Sequence, residues 1–269
     1  MVLKNKIVTN IFVQPFLSGF DDLLTYAKEH TYNIEIASFA FADVLDSGWQ
    51  NVLEDYKYKL KDFKNTISVH GAFQDLILHS RDKRISETAM SRYIQNLEIA
   101  KQLKAKYIVF HGNFNPLINH ESYIRNWTEQ NTRFWSEAIS KYDITILLEN
   151  VWEGSPEIFR KLLDEVKSSQ LKICFDTGHA NIFSKVPISE WFNVLGKDIP
   201  YMHINDNKGD KDNELVPGEG TINWQEFSNN IKKYEMTPNI VFEVGSLEKT
   251  KLAIQYFKEN NIYPFDMKK

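Results

Sequence analysis

The stretch Cys174-Phe175-Asp176-Thr177-Gly178-His179 puts a carboxylate and an imidazole directly after an apolar run that begins at Leu171. Short runs of this kind, rich in β-branched and aromatic residues and followed by His, Glu or Asp, recur along the chain. Longer stretches with the apolar periodicity of amphipathic helices separate them. This alternation is typical of a parallel sheet with crossover helices.

Eight strand-like runs are present. They are Lys6 to Val13, Asn33 to Phe39, Thr66 to Phe73, Tyr107 to Phe114, Ile144 to Val151, Leu171 to Thr177, Tyr201 to Asp206 and Asn239 to Val244. Eight strands alternating with eight helices, about 30 residues per unit, are what an α/β (β/α)₈ TIM barrel requires. The alternative is an open doubly wound sheet, but the glycine-rich loop expected after its first strand is missing from Val13-Gln14-Pro15-Phe16. We therefore predict one TIM-barrel domain over residues 1–269.

Helix signals support this organisation. Ser155-Pro156-Glu157 predicts a helix capped by Ser155, with proline at its first position, and Ser246 caps a helix from Leu247 to Asn260 in the same way. Between Ser86 and Ala105, apolar residues recur at spacings of three and four and predict a stripe that packs on the sheet. The stripe consists of Met90, Tyr93, Ile94, Leu97, Ala100 and Leu103.

Composition limits the classes of partner. The 269 residues are 42% hydrophobic, with 32 Lys and Arg against 36 Asp and Glu, which gives a net charge of −4. Such a chain lacks the positive field that attracts phosphate backbones, so nucleic acid is disfavoured. The single Cys174 excludes an intrachain disulfide and a cysteine zinc cluster. Because no secretion signal or membrane-spanning run is visible, we expect a cytoplasmic protein with no membrane partner.

In a TIM barrel the active site lies at the C-terminal ends of the strands. Six consecutive predicted strands end in a His, Glu or Asp: His70, His111, Glu149, Asp176 with His179, His203 with Asp206, and Glu243. Four of the seven histidines fall here, whereas His30, His79 and His120 lie on predicted helices or loops, where we expect surface positions.

Carboxylates that point into one barrel mouth repel one another unless a cation neutralises them. The pattern therefore predicts a divalent metal centre. Imidazole and carboxylate ligands suit Zn²⁺, Mn²⁺, Fe²⁺ or Co²⁺, and the absence of thiolate ligands argues against Cu(I) or an iron–sulfur cluster.

These residues resemble the xylose isomerase-like TIM-barrel superfamily, which includes sugar and sugar-phosphate isomerases and epimerases as well as endonuclease IV-type AP endonucleases (AP endonuclease family 2). The resemblance runs from Ile34-Glu35-Ile36 to Glu243. Its most specific parts are Phe175 to Ala180, His203-Ile204-Asn205-Asp206 and Pro217-Gly218-Glu219-Gly220.

The epimerase branch implies one metal ion and an enediolate intermediate. Glu149 and Glu243 would then be the acid/base pair, and His179 would bind a substrate hydroxyl. The implied metal ligands are Glu149, Asp176, His203 and Glu243. This is our main hypothesis, with a small sugar or sugar phosphate as substrate.

One departure from that branch concerns an arginine that several epimerases place after the strand 7 histidine. The stretch here is Asn205-Asp206-Asn207-Lys208-Gly209, and no arginine follows Arg160. Lys208 is the candidate replacement.

The endonuclease IV branch implies two or three metal ions. His70 and His111 would add ligands, with Glu149 bridging, and His179 with Asp212 would belong to a third site. Glu214 stands where that branch has a histidine, and its DNA-facing arginine is replaced by Asn213. Phe73 keeps an aromatic side chain where that branch contacts DNA, or it packs at the barrel rim. A phosphodiester hydrolase is therefore the first alternative.

A barrel that binds a metal ion and a ligand without turnover is the second alternative, and the paired glutamates argue against it. Trp152 is a candidate surface for stacking on a sugar ring, together with Phe39, Phe41, Trp49 and Phe114. Gly245-Ser246 offers either backbone donors for a phosphate or a plain helix cap. The superfamily also implies that the chain forms a homo-oligomer, which is an analogy only.

Overall fold

The computed structural model describes residues 10–14, 19–118 and 120–265. Eight parallel strands each pair with the next, and the eighth pairs with the first, so the sheet closes into a barrel. The strands are β1 (Ile11–Val13), β2 (Asn33–Ile36), β3 (Ile67–His70), β4 (Tyr107–His111), β5 (Thr145–Glu149), β6 (Leu171–Asp176), β7 (Tyr201–Ile204) and β8 (Asn239–Phe242). The predicted single-domain (β/α)₈ barrel is confirmed, and the open sheet is excluded.

Ten α-helices surround the barrel within the described residues. They are α1 (Phe20–His30), α2 (Ala42–Asp46), α3 (Trp49–Leu60), α4 (Lys83–Gln102), α5 (Glu121–Lys141), α6 (Glu157–Val166), α7 (Thr177–Phe183), α8 (Ile188–Leu195), α9 (Trp224–Lys233) and α10 (Leu247–Glu259). Eight were predicted, and the two additional helices arise because the connections after β2 and β6 each contain two.

The strands are shorter than the sequence predicts. The run from Asn33 to Phe39 leaves the sheet at Ile36 and continues as a 3₁₀ turn at Ser38–Ala40. Phe39 is nevertheless fully buried, because loops at the barrel mouth also pack against the core. Apolar content therefore overestimates strand length. The predicted start of the first strand, Lys6 to Thr9, lies outside the described residues, as do Pro15 and Phe16.

The barrel interior holds a small apolar cluster that is separate from the large core between strands and helices. Its members are Phe12, Tyr107, Val109, Leu147, Cys174, Tyr201 and Val241. Side chains alternate between the two faces of a strand, so the residue two positions further on also points inward, but nearer the C-terminal end. The apolar cluster thus fills the lower barrel and supports whatever lies above it.

Two helix predictions need correction. Along α4, Tyr93, Leu97 and Ala100 are buried as predicted, but Ile94 is 45% exposed. The helix turns that position toward solvent, and Asn96 is buried instead. Helix α6 begins after Pro156 and has no side-chain cap, so Ser155 is not its cap.

The predicted cap of the last helix is confirmed. Ser246 accepts a hydrogen bond from the Lys249 N–H at 3.2 Å, which makes it a helix cap in this structure.

Candidate metal centre

A ring of polar side chains lies above the apolar cluster, one from each strand or from the residue just beyond it. Gln14, His111, Glu149, Asp176, His203 and Glu243 each follow a member of the apolar cluster by two residues. Glu35 and His70 contact them from β2 and β3. We call this set the C-terminal ring; its members are Gln14, Glu35, His70, His111, Glu149, Asp176, His203 and Glu243.

Four members of the ring form a compact group of potential ligands. The ligand atoms of Glu149, Asp176, His203 and Glu243 all lie within 4.8 Å of one another. The Nδ1 atom of His203 is 3.3 Å from Glu149 Oε1 and 3.1 Å from Glu243 Oε2. The first three side chains are buried, and that of Glu243 is 17% exposed. These are the four residues that the epimerase resemblance implies as ligands.

A second group shares Glu149. The Nε2 atoms of His70 and His111 lie 3.3 Å and 3.5 Å from Glu149 Oε2, and the three residues form another potential ligand set. The two oxygens of Glu149 therefore face different groups. Burial lowers the pKa of His111 to about 3, which keeps its imidazole neutral, the form that binds a metal ion.

His179 connects the ring to the rim of the barrel. Its Nδ1 atom lies 2.9 Å from the Asn150 carbonyl oxygen and 3.2 Å from Glu149 Oε1. Its Nε2 atom lies 3.2 Å from Asp212 Oδ2. His179 is placed there because Asp176 caps α7 by accepting the His179 backbone N–H.

Asp176 is itself held in place by two buried amide side chains. Asn205 donates to Asp176 Oδ2 at 2.9 Å. Asn150 accepts the Asp176 backbone N–H at 2.9 Å and donates to its carbonyl. Gly178 permits this arrangement, since a Cβ atom there would lie 1.8 Å from Asn205 Oδ1.

The donor set fits a divalent cation. Glu149 Oε2 and the His203 Nδ1 atom, which faces the ligand group, are buried without a hydrogen-bond partner among the described residues, although imidazole or carboxylate atoms lie close by. Unpartnered buried polar atoms are costly and rare. Ligands about 2.1 Å from a tetrahedral Zn²⁺ lie about 3.4 Å apart. The contacts of His203 Nδ1 with Glu149 and Glu243, at 3.3 Å and 3.1 Å, match that spacing.

The electrostatics of the ring also favour a cation. Burial raises the pKa of Asp176 to about 7. Burial opposes ionisation of Glu243 too, but the His203 imidazole beside it lowers that pKa to about 2. Burial alone would lower the pKa of His203, yet the anionic groups around it raise it well above its ordinary value. The protein thus recruits positive charge to a cluster with excess carboxylates.

The connection after β7 is folded over the ring by Asp206. This buried carboxylate accepts hydrogen bonds from the backbone N–H groups of Asn207, Gly218 and Ile222 and from the Trp224 indole, at 2.9 to 3.2 Å. Asp206, which the sequence places at the end of the strand 7 run, therefore shapes the loop.

The same loop brings two acids to the mouth. Asp212 is 40% exposed and faces His179. Burial, with the charges of Glu243 and Asp212, raises the pKa of Glu214 to about 8. Lys208 is exposed and makes no hydrogen bond or ion pair with the described residues, so the structure does not bring it to the ring.

Two predicted aromatic contacts lie at the rim. Phe73 stacks on His111, with ring centroids 4.5 Å apart, and its edge-on contact with His70 is at 5.6 Å. Trp152 is 44% exposed. Phe73 therefore packs against the histidines of the second group, whereas Trp152 presents a free surface at the mouth.

Sequence reasoning missed Gln14, Glu35 and the two amides that hold Asp176. A signal existed for Glu35, since it is a charged residue between Ile34 and Ile36 in a buried strand.

The expected surface position of His79 is wrong. It is 5% exposed, its Nε2 atom lies 3.0 Å from the Tyr123 hydroxyl, and burial lowers its pKa to about 4. It is buried because α5 packs over the loop that precedes α4. His30 and His120 are exposed as expected.

A family model described as "Xylose isomerase-like TIM barrel" matches residues 30–260. The chain belongs to this xylose isomerase-like family. The match confirms the resemblance and agrees with the closed barrel. Members of this family are mostly metal-dependent isomerases, epimerases and endonucleases.

Among xylose isomerase-like relatives, the chain is 25% identical to "Probable endonuclease 4" of Aquifex aeolicus over 234 residues, which cover 78% of this chain and 82% of that protein. Two solved structures, each with a TM-score of 0.76 and 93% of this chain covered, share the fold. One is a Thermus thermophilus protein, TTHB071, soaked with ZnCl2 (21% identity, 97% of that chain), and the other is a "D-tagatose 3-epimerase-like protein" (23% identity, 96% of that chain).

Within the described part of the chain, no helix has the length and apolar character that crossing a membrane requires.

Proposed function

We propose that this protein is a divalent-metal-dependent isomerase or epimerase of a small sugar or sugar phosphate. The observation that carries the proposal is the placement of two glutamates around one imidazole: Glu149 and Glu243 both lie within 3.3 Å of His203 Nδ1. Asp176 completes the group of four. The similarity to an epimerase-like structure supports the fold on which this chemistry rests.

A divalent cation held by this group would polarise the carbonyl and neighbouring hydroxyl oxygens of a ketose. Glu243 is the more accessible glutamate and would take a proton from the carbon beside the carbonyl. Glu149, which lies at the same His203 nitrogen, would return a proton to the resulting enediolate. The walls of the barrel bury Glu149 and leave 17% of the Glu243 side chain exposed, which would limit access of water to the reacting carbon.

The rim offers polar and aromatic contacts that suit a polyhydroxylated substrate. Asp212, Glu214 and His179 supply hydrogen-bonding groups at the mouth, and the exposed Trp152 offers an aromatic face for the C–H surface of a sugar. The carboxylates would repel a nucleic-acid backbone, whose phosphates carry negative charge. Lys208, which is exposed on the same loop, remains the candidate basic group for a phosphorylated substrate.

The second candidate function is phosphodiester hydrolysis with two or three metal ions. The convergence of His70 and His111 on Glu149 Oε2 favours it, because a carboxylate between two ligand groups can bridge two cations. The contact between His179 and Asp212 would contribute to a third site. The similarity to a probable endonuclease supports this alternative.

The decisive experiment follows solvent deuterium into carbon. The protein, loaded in turn with Mn²⁺, Co²⁺ and Zn²⁺, is incubated in D₂O with a panel of ketoses and their phosphates, and exchange beside the carbonyl is read by NMR. We expect exchange by the wild type and a loss on the order of 100-fold or more in Glu243→Gln, since general acid–base groups contribute about 10²–10⁴-fold.

Asp210→Asn is the matched control, because it removes an exposed carboxylate from the same loop as Asp212. It should retain the wild-type exchange rate. Metal-dependent nicking of an abasic-site duplex, without exchange into any sugar, would overturn the isomerase proposal and support the hydrolase. Exchange that persists in Glu243→Gln would refute the role of that glutamate.

A further inference from the structure

Two members of the C-terminal ring lie outside the ligand groups found among the described residues: Gln14, which is an amide, and Glu35, the one carboxylate of the ring that joins no group. They come from the adjacent strands β1 and β2, and both are buried, at 5% and 0% exposure. A buried amide and a buried carboxylate are retained in a barrel interior only when other groups satisfy their hydrogen-bonding atoms. The partners of these two side chains therefore indicate what the pair does.

Gln14 joins two carboxylates. Its Nε2 atom donates to Glu35 Oε1 at 3.0 Å and to Glu243 Oε1 at 3.1 Å. An amide NH₂ has two donor hydrogens, so one amide can serve both acceptors. Among the described residues, Gln14 is the hydrogen-bond donor to the side chain of Glu243. Glu243 follows the last residue of β8, and its carboxylate lies between Gln14 at Oε1 and the His203 Nδ1 atom, 3.1 Å from Oε2.

Glu35 is anchored from below. Its Oε2 atom accepts a hydrogen bond from the Tyr201 hydroxyl at 2.9 Å, and the Ser68 hydroxyl lies 2.6 Å from the Tyr201 oxygen and 3.3 Å from Oε2. Its Oε1 atom, besides accepting from Gln14, lies 3.0 Å from His203 Nε2. The Nδ1 atom on the other side of that imidazole faces Glu149 and Glu243. Glu35 thus lies behind His203, at the nitrogen turned away from the ligand group.

We propose that Gln14 and Glu35 are positioning residues for the metal centre. Gln14 holds the Glu243 carboxylate toward the ligand group, and Glu35 fixes the ring of His203 so that Nδ1 faces the cation. The inference rests on the proposed metal centre and not on the reaction catalysed there. Groups that orient ligands in this way typically change metal affinity by about 10- to 100-fold when they are removed.

The test measures Co²⁺ binding alone, by titration of the metal-free protein and the visible absorption spectrum of the bound ion. Gln14→Met keeps the length of the side chain but removes its donor, and Glu35→Gln keeps the shape but removes the charge. We expect a dissociation constant about 10- to 100-fold higher in each variant, with a changed Co²⁺ spectrum.

Gln170→Met is the matched control. It makes the same substitution just before β6, at the opposite end of the barrel. There, among the described residues, the side-chain amide donates to the Tyr142 carbonyl at 3.4 Å and makes no other hydrogen bond. The control should bind Co²⁺ with the wild-type affinity and spectrum. Thermal unfolding of each metal-free variant shows whether it is folded, and Gln14→Met decides the question if Glu35→Gln does not fold.

A Gln14→Met variant with the wild-type affinity and spectrum would overturn the inference while leaving the metal centre intact. A wild-type protein that binds no Co²⁺ would overturn the metal centre, and with it the proposed function. A wild type that binds Co²⁺ tightly but exchanges no sugar proton would overturn only the isomerase reaction.

Discussion

The Glu149→Gln substitution is the sharpest perturbation of the proposed centre. The two carboxylate oxygens of Glu149 lie 3.2 to 3.5 Å from nitrogens of His70, His111, His179 and His203. Three of the four groups of potential ligands contain this residue. Removing its charge therefore weakens metal binding whether the centre holds one ion or several. The assay is thermal unfolding with and without added Zn²⁺.

The size of the effect follows from mass action. A ligand at 1,000 times its dissociation constant stabilises the native state by about 4.1 kcal/mol. For a chain of this length, about 2 °C per kcal/mol gives a rise in Tm of roughly 8 °C. Removing a residue that only orients a metal ligand weakens binding by up to about 100-fold, and we take that factor for the loss of this shared ligand. The stabilisation then falls to about 1.4 kcal/mol. The Tm shift then shrinks to roughly 3 °C.

His111→Gln provides the comparison, because it leaves the group of Glu149, Asp176, His203 and Glu243 complete. It should retain most of the Zn²⁺-induced shift. An undiminished shift in Glu149→Gln would refute the reasoning, since no metal could then depend on the residue at which both ligand groups meet.

Three further predictions concern pH, the loop and one glycine. The pKa of His79 is about 4 in the folded protein and near 6.5 in the unfolded chain, so between these pH values the unfolded chain binds the extra proton. The free energy of unfolding therefore decreases by about 3 kcal/mol as pH falls from 6.5 to 4. Urea unfolding across this range should show it in the wild type, and the pH dependence should be weaker by that amount in His79→Gln. Asp206→Ala should cost about 3 kcal/mol in the same assay and expose residues 207–223 to proteases, because four donors lose their acceptor. Gly178→Ala should weaken Co²⁺ binding, because its Cβ displaces Asn205 from Asp176.

Each of these predictions has a contradicting result. Parallel pH profiles for the wild type and His79→Gln would mean that this imidazole titrates alike in the folded and unfolded protein. A protease-resistant Asp206→Ala loop would show that other contacts hold it. Wild-type Co²⁺ affinity in Gly178→Ala would show that Asn205 does not orient Asp176.

The sequence was sufficient to predict the barrel because strand and helix periods alternate along the whole chain. In β4, Tyr107, Val109 and His111 point inward, whereas Ile108 and Phe110 pack under the helices. Both faces are apolar, so the strand appears as one continuous run without the alternation that would show which residues pair in the sheet. This explains why the predicted strands continue into loops that the core also buries, as at Phe39.

The strand-end acids and histidines of the site were predicted because each breaks an apolar run at the barrel mouth. Glu35 was missed because it lies inside its run, where only the closed barrel shows that it meets His203. His79 was misplaced for a related reason. Its burial comes from a contact with Tyr123, 44 residues away, which no local pattern reveals.

The metal content of the chain is the most direct test of the central claim. Elemental mass spectrometry counts the ions bound per chain. It is applied to protein purified without chelators or an affinity metal column, and to the same protein after reconstitution with Zn²⁺, Mn²⁺, Fe²⁺ or Co²⁺. The structure predicts at least one tightly held divalent ion in the wild type and a loss of that ion in Glu149→Gln. A second ion that is lost in His111→Gln would identify the group of His70, His111 and Glu149 as a further site. A wild-type chain that retains no ion after reconstitution would contradict the account.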